Sequence, residues 1–206
     1  LELWQWHVST RFLKAIRTIR AVGDAQGVTF PYIGVYPAFL LAGAEAREEE
    51  RIQADILDKA EILGATTLKI MLGMGVKGSA ATPDQVALIA DRFTPWYRAA
   101  RARGIAMTAE LHANTLFDPV ETGLAFLDAH PDLDLTLCYQ PYDFTDTDRA
   151  LALADRVAGR ISHIHLQAPR SKARGGGYDW LEEAALDYRR LIPHLLRRHP
   201  DATLTI

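Results

Sequence analysis

A carboxylate, an amide and an imidazole recur about one strand-helix unit apart in otherwise apolar segments: Glu110 in TAELHANT, Gln140 in LCYQP and His165 in ISHIHLQAP. Polar groups that meet at one end of apolar strands need partners, and a bound cation is one way to supply them. Side chains alternate across a strand, so Thr108, Glu110 and His112 share one face, as do Thr136, Cys138 and Gln140, and again His163 and His165. If these faces point inward, Glu110, His112, Gln140 and His165 all fall at the C-terminal ends of parallel strands, where parallel barrels carry their active sites.

The elements that must position them follow from hydrophobic pattern. Apolar, β-branched runs predict strands over 1–8, 28–36, 67–73, 105–112, 133–140, 161–166 and 202–206. Amphipathic stretches between them predict helices over 10–25, 46–63, 83–103, 119–129, 147–158 and 181–199. Gly64 and Gly104 stand where helices should end, and Pro83 and Pro119 where they should begin. The alternation is that of βαβ units around a parallel sheet. A closed (β/α)8 barrel of the TIM type takes ~250 residues, so a 206-residue chain that starts and stops on a strand is short by about one unit. The expectation is one TIM-barrel domain over 1–206, with one βα unit at the N-terminus and the last helix missing; a seven-strand variant or an open doubly wound sheet are the alternatives.

Composition narrows the partners. About half of the residues are apolar (49%), enough for one sizeable core, and the formal charge of −3 is spread over mixed acids and bases. Neither a cationic surface for nucleic acid nor a polybasic patch for membrane lipid is present. The one cysteine, Cys138, lies in an apolar strand and reads as a small core residue, which fits a reducing cytoplasm. No apolar run reaches the ~18 residues of a membrane span. A homodimer is compatible with the chain, but no stripe specifies one.

On these residues the chain resembles the sugar phosphate isomerase/epimerase family, the xylose isomerase-like TIM barrels. LELWQWHV is similar to the family's second strand, AEILGATTLKIMLG to the helix into the fourth, and ARGIAMTAELH to the approach to the fifth. The resemblance implies a divalent cation (Mn, Mg, Co or Zn) held by a Glu, an Asp, a His and a second Glu at the ends of the last four strands. The first carries over to Glu110 and the third to His165. The second departs, since the sequence reads Tyr139, Gln140, Pro141 where the family has Asp before Pro; the fourth would follow Ile206. An amide still offers a carbonyl oxygen to a hard cation, with one negative charge fewer. The pattern AELHANTLFDPVETGLAFLDAHPDL followed by CYQP is similar to a subgroup with Gln at this position.

The resemblance implies a small-molecule carbohydrate substrate, with Glu110 as ligand and as the group that moves the proton. Substrate contacts are expected from His7, at the end of the first strand, from Lys69 and His112 near Glu110, and from Arg170 in PRSKARGGGYDW. In that segment Arg170, Lys172 and Arg174 beside a triple glycine suit either a lid over an anionic substrate or a plain surface loop. Lys69 is alternatively the structural ion-pair partner of Glu110, and His163 a core histidine. LGMGVKGSA, with Lys77, offers a weak phosphate cradle against the plainer reading of an ordinary loop. The leading expectation is a sugar or polyol isomerase or epimerase. The alternatives are a polyol dehydratase and a non-catalytic sugar-binding protein with a degenerate metal site. A repair nuclease of the same fold would need more His and Asp ligands and a basic groove.

Overall fold

Short strands and longer helices alternate throughout the computed structural model, which describes residues 1–170 and 176–206. The strands are β1 (Glu2–Trp4), β2 (Tyr32–Val35), β3 (Thr67–Ile70), β4 (Ala106–Glu110), β5 (Thr136–Tyr139), β6 (Ile161–His165) and β7 (Thr203–Thr205). The helices are α1 (Gln5–Val8), α2 (Leu13–Ala25), α3 (Gly43–Leu63), α4 (Pro83–Ala102), α5 (Val120–Ala129), α6 (Thr147–Arg156) and α7 (Tyr188–Arg198). Strand order follows chain order, β1 to β7. Parallel strands in sequence, each returned by a helix, make this a TIM-type α/β fold with seven strands among the described residues. No helix among those residues is long and apolar enough to cross a membrane.

Two compact units divide the chain, one of Leu1–Ala109 with Ala113–Leu135, the other of Glu110–His112 with Thr136–Ile206. In the first, β1, β2, β3 and the body of β4 pair in parallel, and Lys69 stands in register with Gly34 on one side and Thr108 on the other. Its core is filled by Ile33, Leu68, Ile70 and Ala109 from strands and by Ile56, Leu57, Ala60, Leu63, Ile89 and Phe93 from α3 and α4, all essentially buried. α3 stops because Gly64 takes the left-handed conformation at φ 71°. A Cβ there would lie 2.1 Å from the Arg20 guanidinium, which donates to the last-turn carbonyl of Leu63 at 2.8 Å. α4 starts on a reciprocal cap between Thr82 and Gln85, with Pro83 at the first helical position.

In the second unit β5, β6 and β7 pair in parallel, with His163 opposite Thr203 and His165 opposite Thr205. Leu137, Cys138, Tyr139, Ile164 and Leu166 are buried with Leu191 and Leu195 of α7. Cys138 is a core residue, as its apolar surroundings led one to expect.

Most boundaries shift by a few residues, and two differ more than the rest. The run 1–8 is not one strand: β1 ends at Trp4 and Gln5–Val8 is helical. The Trp4 N–H donates to His7 Nδ1 at 3.0 Å, and Gln5 Oε1 accepts the Tyr36 N–H at 2.7 Å. These side-chain bonds supply backbone partners that a strand ladder would otherwise give. α7 begins at Tyr188 rather than near 181, because the Asp187 carboxylate accepts the N–H groups of Arg189 and Arg190 and caps the helix there.

Candidate active site

Glu110 ends β4 with 1% of its surface exposed, flanked in sequence by the buried apolar side chains of Ala109 and Leu111. Its carboxylate Oε1 lies 3.0 Å from Nδ1 of His165, the last residue of β6. Beyond β4 the Leu111 N–H donates to the Cys138 carbonyl, which joins this end of the strand to β5. Gln140 follows β5 directly. One residue past the Tyr139–Ile164 pair, the parallel register brings it level with His165, and it is buried at 3% exposure. The structure therefore brings Glu110 and His165 together and sets Gln140 beside His165.

Gln167, which the sequence reading did not single out, completes this group. Its side-chain Nε2 donates to Gln140 Oε1. Counting on by two from His163 and His165 reaches Gln167, although β6 itself ends at His165, and that spacing was the available signal. The Gln167 carbonyl accepts the Tyr188 hydroxyl. Burial pushes the Tyr188 phenol up to about 12, so it remains a donor at neutral pH. Tyr139, whose phenol burial also pushes up, donates to the Ala150 carbonyl at 2.7 Å and ties the end of β5 to α6.

His163 has a different job from His165. Its Nδ1 and Nε2 lie 2.6 and 3.2 Å from the hydroxyls of Thr203 and Thr205, so both ring nitrogens are used in joining β6 to β7. This is the core histidine expected at that position. His112 is half-buried two residues after Glu110.

Other expected site residues have other engagements. Arg170 donates through Nε to Asp179 at 2.7 Å, with Nη2 at 2.6 Å from the same oxygen. Asp179 is nearly buried, at 6% side-chain exposure, and the pair sits beside the Pro169–Tyr178 bridge. Much of the Arg170 charge is thus already answered. Lys172 and Arg174, and with them the centre of the expected lid, lie outside the described residues.

In the first unit, the Lys69 ammonium lies 2.9 Å from the Glu2 carboxylate, with the two side chains at 3% and 8% exposure. Gly34 leaves room for them, since a Cβ there would stand 3.3 Å from Glu2 Oε1 and 3.5 Å from Lys69 Cε. His7, expected to close the first strand, instead sits exposed on α1 and accepts the Trp4 N–H. Near it Trp6 stacks on Tyr36 at 5.6 Å, and Trp4 meets Tyr36 edge-on at 6.2 Å. The glycine loop around Lys77 is not an anion cradle: the N–H groups of Gly75, Gly78 and Ser79 donate to the carbonyls of Asn114, Thr115 and Asp118. A phosphate nest needs those donors free.

Among the described residues no three His, Cys, Asp or Glu side chains gather as a cation centre would require. Glu110 and His165 nevertheless fit two neighbouring positions of one. Bonds of ~2.1 Å at right angles place adjacent ligand atoms ~3.0 Å apart, which is the separation of Glu110 Oε1 and His165 Nδ1. The Gln140 carbonyl is the neutral oxygen donor beside them, and the donor set suits a divalent ion of intermediate hardness.

The fold is shared with several solved structures of low sequence identity. The probable 3-DHS dehydratase AsbF from Bacillus anthracis, involved in petrobactin synthesis, superposes with a TM-score of 0.78 at 13% identity, over 100% of this chain and 80% of that one. A D-allulose 3-epimerase from Methylomonas sp. gives 0.74 at 14% identity, over 99% and 71%. A xylose isomerase-like TIM barrel protein from Mycobacterium smegmatis in complex with magnesium gives 0.68 at 15% identity, over 95% and 72%. No curated protein sequence matches the chain. Residues 2–202 match the family described as xylose isomerase-like TIM barrel, and the chain belongs to that family.

Proposed function

We propose that this chain is a divalent-metal-dependent isomerase or epimerase of a sugar, sugar phosphate or polyol, acting through an enediolate. The observation that carries the reading is the buried carboxylate of Glu110 in contact with His165 at the C-terminal ends of parallel strands. A divalent ion held by Glu110, His165 and the carbonyl of Gln140 would polarise a substrate carbonyl and the hydroxyl next to it. Glu110 takes the proton from the carbon beside that carbonyl: the C–H bond breaks, its electron pair forms the C=C bond of the enediolate, and the carbonyl pair moves to oxygen. Epimerisation needs a second acid that delivers a proton to the opposite face of that carbon while Glu110 gives up its own proton to solvent; isomerisation needs Glu110 to return its proton to the former carbonyl carbon while the hydroxyl proton passes to the other oxygen, so that the new carbonyl forms beside it. His112, half-buried two residues after Glu110, would hydrogen-bond a substrate hydroxyl or orient Glu110. A D-allulose 3-epimerase and a probable dehydratase have the same fold, which supports the reaction class by analogy.

The test is the metal content of purified protein, with Glu110→Ala beside it. Stoichiometric Mn, Mg, Co or Zn that disappears in the variant is the expected result, and ketose interconversion is then assayed with the metal present. One observation favours a second reading, a non-catalytic sugar-binding protein: an amide stands at Gln140 where the resemblance implies a carboxylate. Sugar binding that needs no metal, in protein that takes up neither Mn nor Mg on soaking, would replace the enzyme with that binder.

A further inference from the structure

A carboxylate offers oxygen at both ends, whereas an amide offers oxygen at one end and an NH2 group at the other. Turned the wrong way, Gln140 would aim N–H dipoles at a cation and repel it. A glutamine in a ligand position therefore needs something to fix its orientation. Gln167 meets that need by donating from Nε2 to Gln140 Oε1. The bond takes one of the two lone pairs of the carbonyl oxygen and leaves the other for a cation. We infer that Gln167 is a positioning residue that fixes the Gln140 amide so that its carbonyl, not its NH2 group, is available to a divalent ion; this rests on the metal-dependent reading above.

The fixing partner is itself held. The Gln167 backbone carbonyl accepts the hydroxyl of Tyr188 on α7, while its side chain reaches across to Gln140, which follows β5. The orientation of Gln140 is thus tied through Gln167 to a helix, and does not depend on the rotamer of a free surface amide. Partners of this kind, bonded to a ligand and not to the ion, govern affinity because they decide how the ligand is presented.

A double-mutant cycle read by isothermal titration calorimetry with Mn2+ alone tests this, using wild type, Gln167→Leu, Gln140→Asp and the double variant. Aspartate has no wrong end, so it should not need Gln167. Gln167→Leu is expected to weaken Mn2+ binding ~10- to 100-fold in the wild-type background, and by less than about 3-fold once residue 140 is Asp. Gln167→Met, closer in shape, should repeat the result, and Mn2+ binding by the double variant shows that the fold tolerates the change. Equal losses in both backgrounds, or a loss in neither, overturn the positioning role while the metal site stands. If neither wild type nor Gln140→Asp binds Mn2+, the metal-dependent reading fails and the positioning role with it.

Discussion

Glu110→Gln is expected to lower turnover about 10^2- to 10^4-fold, the range for loss of a positioned acid-base group, while the far-UV spectrum and melting temperature stay close to wild type. The substitution keeps the shape of a side chain that is 1% exposed. It also keeps an oxygen that can accept from His165, whose Nδ1 lies 3.0 Å from the carboxylate. What it removes is the negative charge and the ability to take a proton. The measurement is kcat for ketose interconversion under saturating Mn2+, so that weakened metal binding does not pass for lost proton transfer. A variant that retains turnover within tenfold of wild type would remove Glu110 from the proton-transfer step.

The second large effect concerns stability. Lys69→Met deletes a buried ammonium next to Glu2, where both side chains are under 10% exposed. Breaking one side of a buried ion pair costs about 3–5 kcal/mol, because the remaining charge stays in a poorly hydrated place. The same change made together with Glu2→Gln should recover much of that loss, since the pair then leaves as a unit. Urea unfolding of the four proteins measures the coupling. A loss below about 1 kcal/mol for Lys69→Met, with a raised KM instead, would return Lys69 to the substrate-binding role that its strand position suggested.

The sequence made the parallel α/β fold legible because its signals are local and redundant. Ile56, Ala60 and Leu63 mark the buried stripe of α3, Gly64 ends it, and Thr82 with Pro83 opens α4. Glu110 and His165 were legible because a charged or imidazole side chain at the end of an apolar strand contradicts its surroundings. His7 was misplaced for the opposite reason: WQWHV alternates like a strand, and the helix at Gln5–Val8 is accompanied by bonds that His7 accepts from the Trp4 N–H and Gln5 from the Tyr36 N–H, 31 positions away. Periodicity carries no information about such partners. The charge run at 48–51 hid a similar case. Glu49 is half-buried and accepts the Ala38 N–H at 3.2 Å, although nothing in the run sets it apart from its neighbours. Gln167 was legible in principle from its two-residue spacing after His165, but a neutral amide next to a proline- and glycine-rich segment does not stand out until its partner is known.

The exposed indoles bear on how unfolding can be followed. Trp4, Trp6 and Trp180 are 41%, 60% and 74% exposed, whereas Trp96 is 5% exposed and donates from its indole nitrogen to the Gln53 carbonyl. Three of the four emitters therefore already face water in the native protein, and the change in fluorescence on unfolding comes chiefly from Trp96. That single reporter lies on α4, in the first unit. Emission thus follows the unit that contains Lys69 and Glu2 and is nearly blind to the unit that contains Glu110 and His165, for which circular dichroism or hydrogen exchange is the informative signal.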